Sequence, residues 1–457
     1  MSVSGASVLS RLAEITGDSN VTTDPAQIAG YQIDGKSPAA VARPGTSEEV
    51  VEIVKFAARE KLAIVPTGAR TKLGIGMPPR KYDLALDMTR MDRMVAYDPG
   101  DLTLSVEPGI TLQKIANALA EHRQFLPLAV PFMNRSTVGG TIASGVDSPL
   151  RQIYGTARDF VLGMEFVTGD GIAAKSGGRV VKNVTGYDIH KMMIGALGTL
   201  GVITRINFRT FPLPRALRTC IATFRGTAGA CELRHAIARS VLRPQSVEIL
   251  AASGGSSSEL GRRAAISFEN DRWSVVVSFA GDEQVLNRDR RELEALARGV
   301  DRIALESFTE LRAEPAENVS RHIASLPAAI LEHSPAAAIF KISALPTDLA
   351  ALASEIQSVG IPWLVMMRGL GVTYLALLPI DRSENSLRLL KQECGRIFSL
   401  SGKVPRGRCM LPWCPPELKS EINVWGEPSG DFPLMQKLKN VFDPGGTLSP
   451  GRFMGGL

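Results

Sequence analysis

Thirteen glycines fall within the seventy-one residues from Pro131 to Gly201, many of them between apolar, strand-like segments. That spacing constrains the chain more than any other feature. Glycine in such places lets a backbone take positive φ or come close to a bulky ligand where a Cβ would block it. The stretch contains Thr137-Val138-Gly139-Gly140-Thr141, Tyr154-Gly155-Thr156-Ala157-Arg158-Asp159, Gly186-Tyr187-Asp188 and Gly195-Ala196-Leu197-Gly198-Thr199-Leu200-Gly201. It reads as a bed for a cofactor.

A second glycine loop lies upstream. Ala40-Val41-Ala42-Arg43-Pro44 reads as a short strand, and Thr46-Ser47-Glu48-Glu49 as a capping box that opens a helix with Val50, Ile53, Val54 and Ala57 on one face. The strand Leu62 to Pro66 completes a β-α-β unit. The loop that leaves it, Thr67 to Gly76, offers amides, hydroxyls, Arg70 and Lys72 to a diphosphate. It lacks the Gly-x4-Gly-Lys-Ser/Thr of a P-loop, and no Gly-x-Gly-x-x-Gly stands between a strand and a helix. Asp83 to Asp87 and Leu102 to Val106 alternate as strands do, and a helix follows from Thr111 with Leu112, Ile115, Ala116 and Leu119 on its buried side.

With 457 residues there is chain enough for two or three domains. The net charge of +6 is spread without a dense Lys/Arg block or an aromatic-basic motif, so a nucleic-acid partner is not expected. Five irregularly spaced cysteines build no disulfide framework, and Cys409 with Cys414 is at most half a metal site, so no metal is assigned. Met1 to Gly5 lacks the charged and apolar regions of a secretory signal, and a cytoplasmic location is expected. Ile361 to Ile380 has the length of a membrane span, but Arg368-Gly369-Leu370-Gly371 divides it into two strand-length runs around a turn. A buried hairpin is expected there.

Several motifs together resemble the FAD-binding domain of the vanillyl-alcohol oxidase and p-cresol methylhydroxylase flavoproteins. They are Arg43-Pro44-Gly45-Thr46-Ser47-Glu48-Glu49-Val50, the Thr67 to Gly74 loop, Ser136 to Ala143, Tyr154 to Asp159, and Gly198 to Thr204. Within that group Phe160 to Met164, Gly178 to Asp188 and Val424 to Pro428 are similar to the FAD-binding E subunit of glycolate oxidases, and Phe442 to Arg452 is shared more widely. The resemblance implies an α+β fold: a two-subdomain FAD-binding domain of the vanillyl-alcohol oxidase type over residues 1–218, an α+β cap over 219–432, and a segment returning to the FAD domain over 433–457. In the cap, strands are expected near Ser246 to Leu250, Trp273 to Phe279, Ala338 to Ser343 and Pro362 to Leu378. Helices are expected at Gln284 to Arg298 and Ser383 to Leu400, with the Ser-Gly run 252–258 as a flexible tip.

The resemblance further implies which residues meet FAD. Thr67, Gly68, Ala69, Arg70, Thr71 and Lys72, with Thr137, Val138, Gly139 and Gly140, would hold the diphosphate. Pro131, Ser144, Gly145, Gly155, Val202 and Ile203 would line the flavin and its linker. Arg158 and Asp159 either touch the cofactor or form an ion pair that orients the Tyr-Gly-Thr turn. Relatives with covalent FAD use a His or Cys in this loop or in the substrate domain; the loop here has Ala69, Arg70 and Thr71, so FAD is expected to be non-covalent.

Oxidation of a 2-hydroxy acid needs a base for the hydroxyl proton and a cation for the carboxylate. No catalytic base is assigned from the sequence. His122, His190, His235, His322 and His333 are never two to four residues apart, His190 reads as structural, and His333 as a surface residue. Lys341, Arg368, Arg406 and Arg408 are candidate carboxylate clamps. Two functions stay open. One is an FAD-binding subunit beside a catalytic flavoprotein subunit and an iron-sulfur subunit, attached to a membrane only through partners. The other is a self-sufficient flavoenzyme acting on a small 2-hydroxy acid under an enlarged cap. A structural subunit that has lost FAD is the third alternative.

Overall fold

A computed structural model describes residues 5–180, 186–253, 271–300, 305–403 and 407–457. Helix Ser47–Arg59 starts as the sequence predicts, with Thr46 Oγ1 accepting from the Glu49 N–H. The Glu49 carboxylate, however, turns back to the N–H of Gly45 at 2.7 Å, one residue before the cap. Val50, Ile53, Val54 and Ala57 are fully buried by this helix. The strands on either side of it, Ala40–Ala42 and Ile64–Thr67, are not neighbours. Leu84–Asp87 runs between them and parallel to both, so the expected β-α-β unit is split by a third strand. Val21–Thr22 adds an antiparallel edge, and Asp24 caps the short helix Pro25–Ile28 that follows.

A second sheet holds the glycine-rich stretch in place. Its strands run Met94–Asp98, Thr103–Val106, Val202–Arg209, Val161–Val167 and Ala173–Gly177 in spatial order, each antiparallel to the next. Helix Leu112–Ala120 packs Leu112, Ile115 and Leu119 on the same core as Phe160, Met164 and Phe208.

The third sheet is the cap. Among the described residues it has eight antiparallel strands, in the order Leu305–Arg312, Ala216–Arg225, Arg272–Gly281, Ser246–Ala252, Trp363–Arg368, Val372–Leu377, Ala338–Ser343, Arg408–Trp413. One face is covered by helices Thr227–Arg239, Glu283–Gly299, Leu349–Gln357 and Glu384–Lys403, which bury Leu233, Leu286, Leu352 and Leu390. The other face packs on helix Ala313–His333 and meets Ile75, Val146 and Leu197 of the glycine-bearing half. Covered on both sides, its central strands read as continuous apolar runs, which explains why Ile361 to Ile380 mimics a membrane span. The predicted hairpin is there, turning at 369–371. Among the described residues no helix is long and apolar enough to cross a membrane.

Several cap elements were not expected, among them helices Thr227–Arg239 and Leu349–Gln357, strand Arg408–Trp413, the charge-rich edge strand Leu305–Arg312, and the 21-residue helix Ala313–His333 with Pro327 inside it. The strand Ala216–Arg225 runs unbroken through residue 218. Residues 181–185 of the Gly178 to Asp188 motif, 254–258 of the Ser-Gly run, and Arg406 lie outside the described residues.

After helix Phe432–Phe442 the chain returns alongside the first sheet. Ile64 N–H donates to Thr447 O and Ser449 N–H to Ile64 O, both at 2.8 Å. The turn before this pairing is organised by Asp443, whose carboxylate accepts from Thr447 N–H, Leu448 N–H and Lys439 Nζ.

Candidate functional site

The Thr67 loop and the helix Val138–Ser144 face one another across a cavity. Thr67, Gly68, Ala69, Arg70, Thr71 and Lys72 line it from one side, and Thr137, Gly139, Gly140, Ser144, Val202 and Ile203 from the other. Two glycines make this approach possible. A Cβ on Gly68 would lie 2.1 Å from Thr137 Oγ1, and one on Gly139 would lie 2.5 Å from Pro108 Cβ. The loops interlock because neither residue has a side chain.

The charge of this cavity is unbalanced. Lys72 Nζ donates to Ser136 Oγ at 2.6 Å and to Thr71 Oγ1 at 3.3 Å, and among the described residues it has no carboxylate partner. Burial pushes its ammonium down to about 8. Arg452, which also lines the cavity, gives its Nη2 to the carbonyls of Leu73 and Ile75, and burial lowers it to about 10. The intervening carbonyls, Gly74 and Gly76, accept from Lys419 Nζ at 2.6 and 2.9 Å, and Asp34 at 2.8 Å offsets the charge of Lys419. Four successive carbonyls thus accept from two cations, and because only Lys419 of the pair has a carboxylate partner among the described residues, Lys72 and Arg452 leave the wall net positive. Arg70, at φ +62°, stacks over Tyr31 at 4.4 Å and approaches Asp87 at 3.9 Å. Two unpaired cations, hydroxyls and side-chain-free backbone beside apolar Val65, Pro66, Val202 and Ile203 fit a diphosphate joined to a flat ring system. These residues fit FAD.

A second cavity is lined by Thr141 and Ile142 of the same helix and reaches the cap. Gly145, Gly155 and Arg158 line it, with Asp147, Ser148 and Arg151, and Lys341 comes in from the cap sheet. Gly145, at φ +59°, lies so close to Gly195 that a Cβ would sit 2.8 Å from its Cα. Across the inner face of the cap runs a row of charged and polar residues. Glu248 and Arg368 are cross-strand partners, as are Lys341 and Tyr374. Arg368 Nη1 donates to Asp147 Oδ2 at 2.9 Å, its Nε lies 3.8 Å from Glu248 Oε1, and its guanidinium stands over the Tyr374 ring at 5.2 Å. Asp147 also pairs with Arg151 at 3.1 Å. Burial alone would raise the Asp147 carboxyl, but Arg368, Lys341 and Arg151 together hold it below the usual carboxylate range. Neither Glu248 oxygen has a hydrogen-bond partner; burial pushes this carboxyl up to about 7 against the pull of Arg368.

The expected site residues are therefore divided between two cavities, and some line neither. Val138 is packed in the apolar core, and the Pro131 carbonyl accepts from Ser136 Oγ at 3.5 Å. Asp159 Oδ2 caps its own turn through Thr156 N–H and Oγ1, while Arg158 Nη1 donates to Lys191 O, so the two do not form the ion pair with one another that was one of the expectations. His190 is buried and bonded to Ser176, and burial favours its neutral form. His333 is exposed at a helix end. Of the clamp candidates, Arg408 forms an exposed pair with Asp431, Arg368 is engaged by two carboxylates, and Lys341 faces the cavity. Asp147, Arg151, Glu248, Tyr374 and Arg452 were not foreseen. A charge inside an apolar strand, as in Val247-Glu248-Ile249, was the available signal for Glu248.

Comparison with known proteins agrees with this geometry. Residues 38–177 match the FAD binding domain family. Glycolate oxidase subunit GlcD of Bacillus subtilis is 23% identical over 97% of this chain and 96% of its own length. Glycolate oxidase subunit GlcE of Escherichia coli is 37% identical over 37% of this chain and 48% of its own length. A D-2-hydroxyglutarate dehydrogenase of Xanthomonas citri is 33% identical over 42% of each chain. The chain thus spans less than half the length of the latter two relatives. Among solved structures, 4-ethylphenol oxidase from Gulosibacter chungangensis superposes with a TM-score of 0.75 at 16% identity, covering 98% of this chain and 96% of that one. For p-cresol methylhydroxylase the TM-score is 0.74 at 17% identity, with 97% and 95% covered. The fold is the one seen in 4-ethylphenol oxidase and p-cresol methylhydroxylase.

Proposed function

We propose that the chain, whose residues 38–177 match the FAD binding domain family, is an FAD-dependent oxidoreductase that oxidises a small 2-hydroxy acid in the cavity between Gly145 and the cap sheet. One observation carries this reading: a cavity beside the cofactor bed is lined by three cations, Arg151, Arg158 and Lys341, against the single acid Asp147. An anionic substrate of carboxylate size offsets part of that charge. Glycolate oxidase subunits and a 2-hydroxy acid dehydrogenase among the relatives support the same substrate class.

In this reading residues 1–218 and 433–457 hold non-covalent FAD and residues 219–432 cover the substrate. Lys72 and Arg452 meet the diphosphate across Gly68 and Gly139. Val202 and Ile203 give an apolar wall, while Ser144, Gly145, Gly155 and Arg158 face the flavin. FAD supplies the two-electron acceptor. Arg151 and Arg158 orient the carboxylate, and the cap sheet excludes water from the reacting carbon. The likeness to GlcE supports a finer proposal, that the chain works beside a catalytic flavoprotein subunit and passes electrons to an iron-sulfur subunit.

Anaerobic mixing of the FAD-loaded chain with glycolate or D-lactate tests the reading through loss of the oxidised flavin absorbance. Bleaching by the chain alone supports its own turnover. Bleaching only after a partner subunit is added supports the complex, and no bleaching by any 2-hydroxy acid in either setting rejects the substrate class.

A further inference from the structure

The site as described has cations for a carboxylate but no group yet to take the hydroxyl proton. His190 is buried away from both cavities, and His333 is exposed at the end of its helix. We propose that Lys341 is the catalytic base, and that its neutral amine accepts the 2-hydroxyl proton. The proposal rests on the 2-hydroxy acid reading given above.

Position comes first. Lys341 is central in the strand Ala338–Ser343, on the face shared with Ile339, and it is the cap residue that reaches the second cavity. On the opposite wall are Gly145, Gly155 and Arg158 from the cofactor-bearing half. A substrate held there has the cofactor bed on one side and Lys341 on the other. Hydride and proton can then leave the same C–OH unit in different directions.

Environment comes second. Among the described residues Lys341 has neither a hydrogen-bond partner nor a carboxylate within salt-bridge distance, whereas Arg368, one strand pair away, is held by Asp147 and nearby Glu248. The charged and titratable groups around it are Asp147 and Arg151 from the glycine-bearing half, Arg158 from the Tyr-Gly-Thr turn, and Arg368, Glu248 and Tyr374 from its own sheet. Burial is the largest influence and lowers the pKa of Lys341; Asp147 works against it, while Arg368 and Arg151 work with it. A half-buried lysine beside other cations gives up its proton more readily in this way.

The step balances without a further reagent. The C2–H bond breaks with its electron pair, which passes as hydride to oxidised FAD. The O–H bond breaks, its proton moves to Lys341 Nζ, and C2=O forms. The products are the 2-oxo acid, reduced FAD and a lysine ammonium that returns its proton to solvent. Arg151 and Arg158 stay positive throughout and keep hold of the carboxylate.

A clamp and a base differ in what Lys341→Arg does, since arginine keeps the charge but does not deprotonate. Both Lys341→Arg and Lys341→Met are expected to slow anaerobic flavin reduction about 100-fold or more at saturating substrate. Lys341→Arg should still bind oxalate, an unreactive dicarboxylate, within about threefold of wild type, read by flavin difference spectra. Independently of turnover, acetic anhydride labelling mapped by mass spectrometry should place the titration of Lys341 below the ordinary lysine value near 10.4. Reduction by Lys341→Arg at the wild-type rate, or labelling of Lys341 with an ordinary midpoint, overturns the assignment while leaving the substrate class intact. A wild-type flavin that no 2-hydroxy acid reduces overturns both.

Discussion

Arg368 Nη1 and Asp147 Oδ2 meet at 2.9 Å across the boundary between the cap sheet and the glycine-rich half, with both side chains almost completely buried. Removing one member of such a pair leaves an uncompensated charge in the interior. Asp147→Ala should cost about 3 kcal/mol or more, toward the low end of the range for broken buried pairs because Glu248 remains near Arg368. Arg408→Ala, which breaks the exposed pair with Asp431, should leave the melting temperature nearly unchanged. Thermal unfolding of the two variants side by side decides this; equal shifts would show that the pair does not join the two halves.

Glu248 should make stability fall with rising pH. Its folded carboxyl titrates at about 7 and its reference value is 4.5, so between these limits the native state holds a proton that the unfolded chain has lost. Stability from this group is full below pH 4.5 and declines until pH 7. Glu248→Gln removes the slope, so the difference in stability between variant and wild type should change across pH 4.5 to 7 and level off above. A pH-independent difference would place Glu248 in a more polar setting than the structure shows.

Gly68→Ala should abolish FAD retention. The added Cβ would come 2.1 Å from Thr137 Oγ1, so the Thr67 loop and the Thr137 turn must separate. The expected product is a folded, colourless protein, checked by the ratio of flavin to protein absorbance together with far-ultraviolet circular dichroism. A yellow Gly68→Ala protein at full occupancy would rule out this cavity.

Lys72→Met should weaken FAD binding roughly 10- to 100-fold, the scale of one charge-assisted contact of about 1.5–3 kcal/mol. Because burial pushes the apo lysine down to about 8, it is neutral above that pH, and binding an anion there must first recruit a proton. Wild-type FAD affinity should therefore fall as pH rises through 8, and in Lys72→Met this part of the pH dependence should vanish. Isothermal titration of the apoprotein at pH 7 and pH 9 measures both effects.

FAD should dissociate when the protein is precipitated with acid. The cavity beside the Thr67 loop has no His or Cys among its described lining residues. Flavin absorbance in the supernatant is the expected result; absorbance retained in the pellet would mean a covalent bond to a residue elsewhere.

Much of the cofactor side could be read in advance because its signals are local. Gly68, Gly139 and Gly145 are needed for close backbone approach wherever their partners happen to lie, and Thr46 caps its helix through residues three apart. Pairings between distant residues were not visible. Asp147 and Arg368 are 221 residues apart, and only the docking of one half on the other makes them neighbours. Strand order is likewise tertiary: nothing near Ala40 or Ile64 announces that Leu84–Asp87 will lie between them. Leu305–Arg312 was hidden by the charge of its exposed edge, and Ala313–His333 by Pro327, a residue that on local grounds argues against a helix interior.

The hold of Lys419 and Arg452 on the carbonyls of residues 73–76 links the cofactor loop to parts of the chain made some 340 to 380 residues later. During synthesis the loop emerges from the ribosome long before the cations that fix it. A chain that ends short of residue 419 has neither anchor for the loop, and the hold is complete only once both cations have been added.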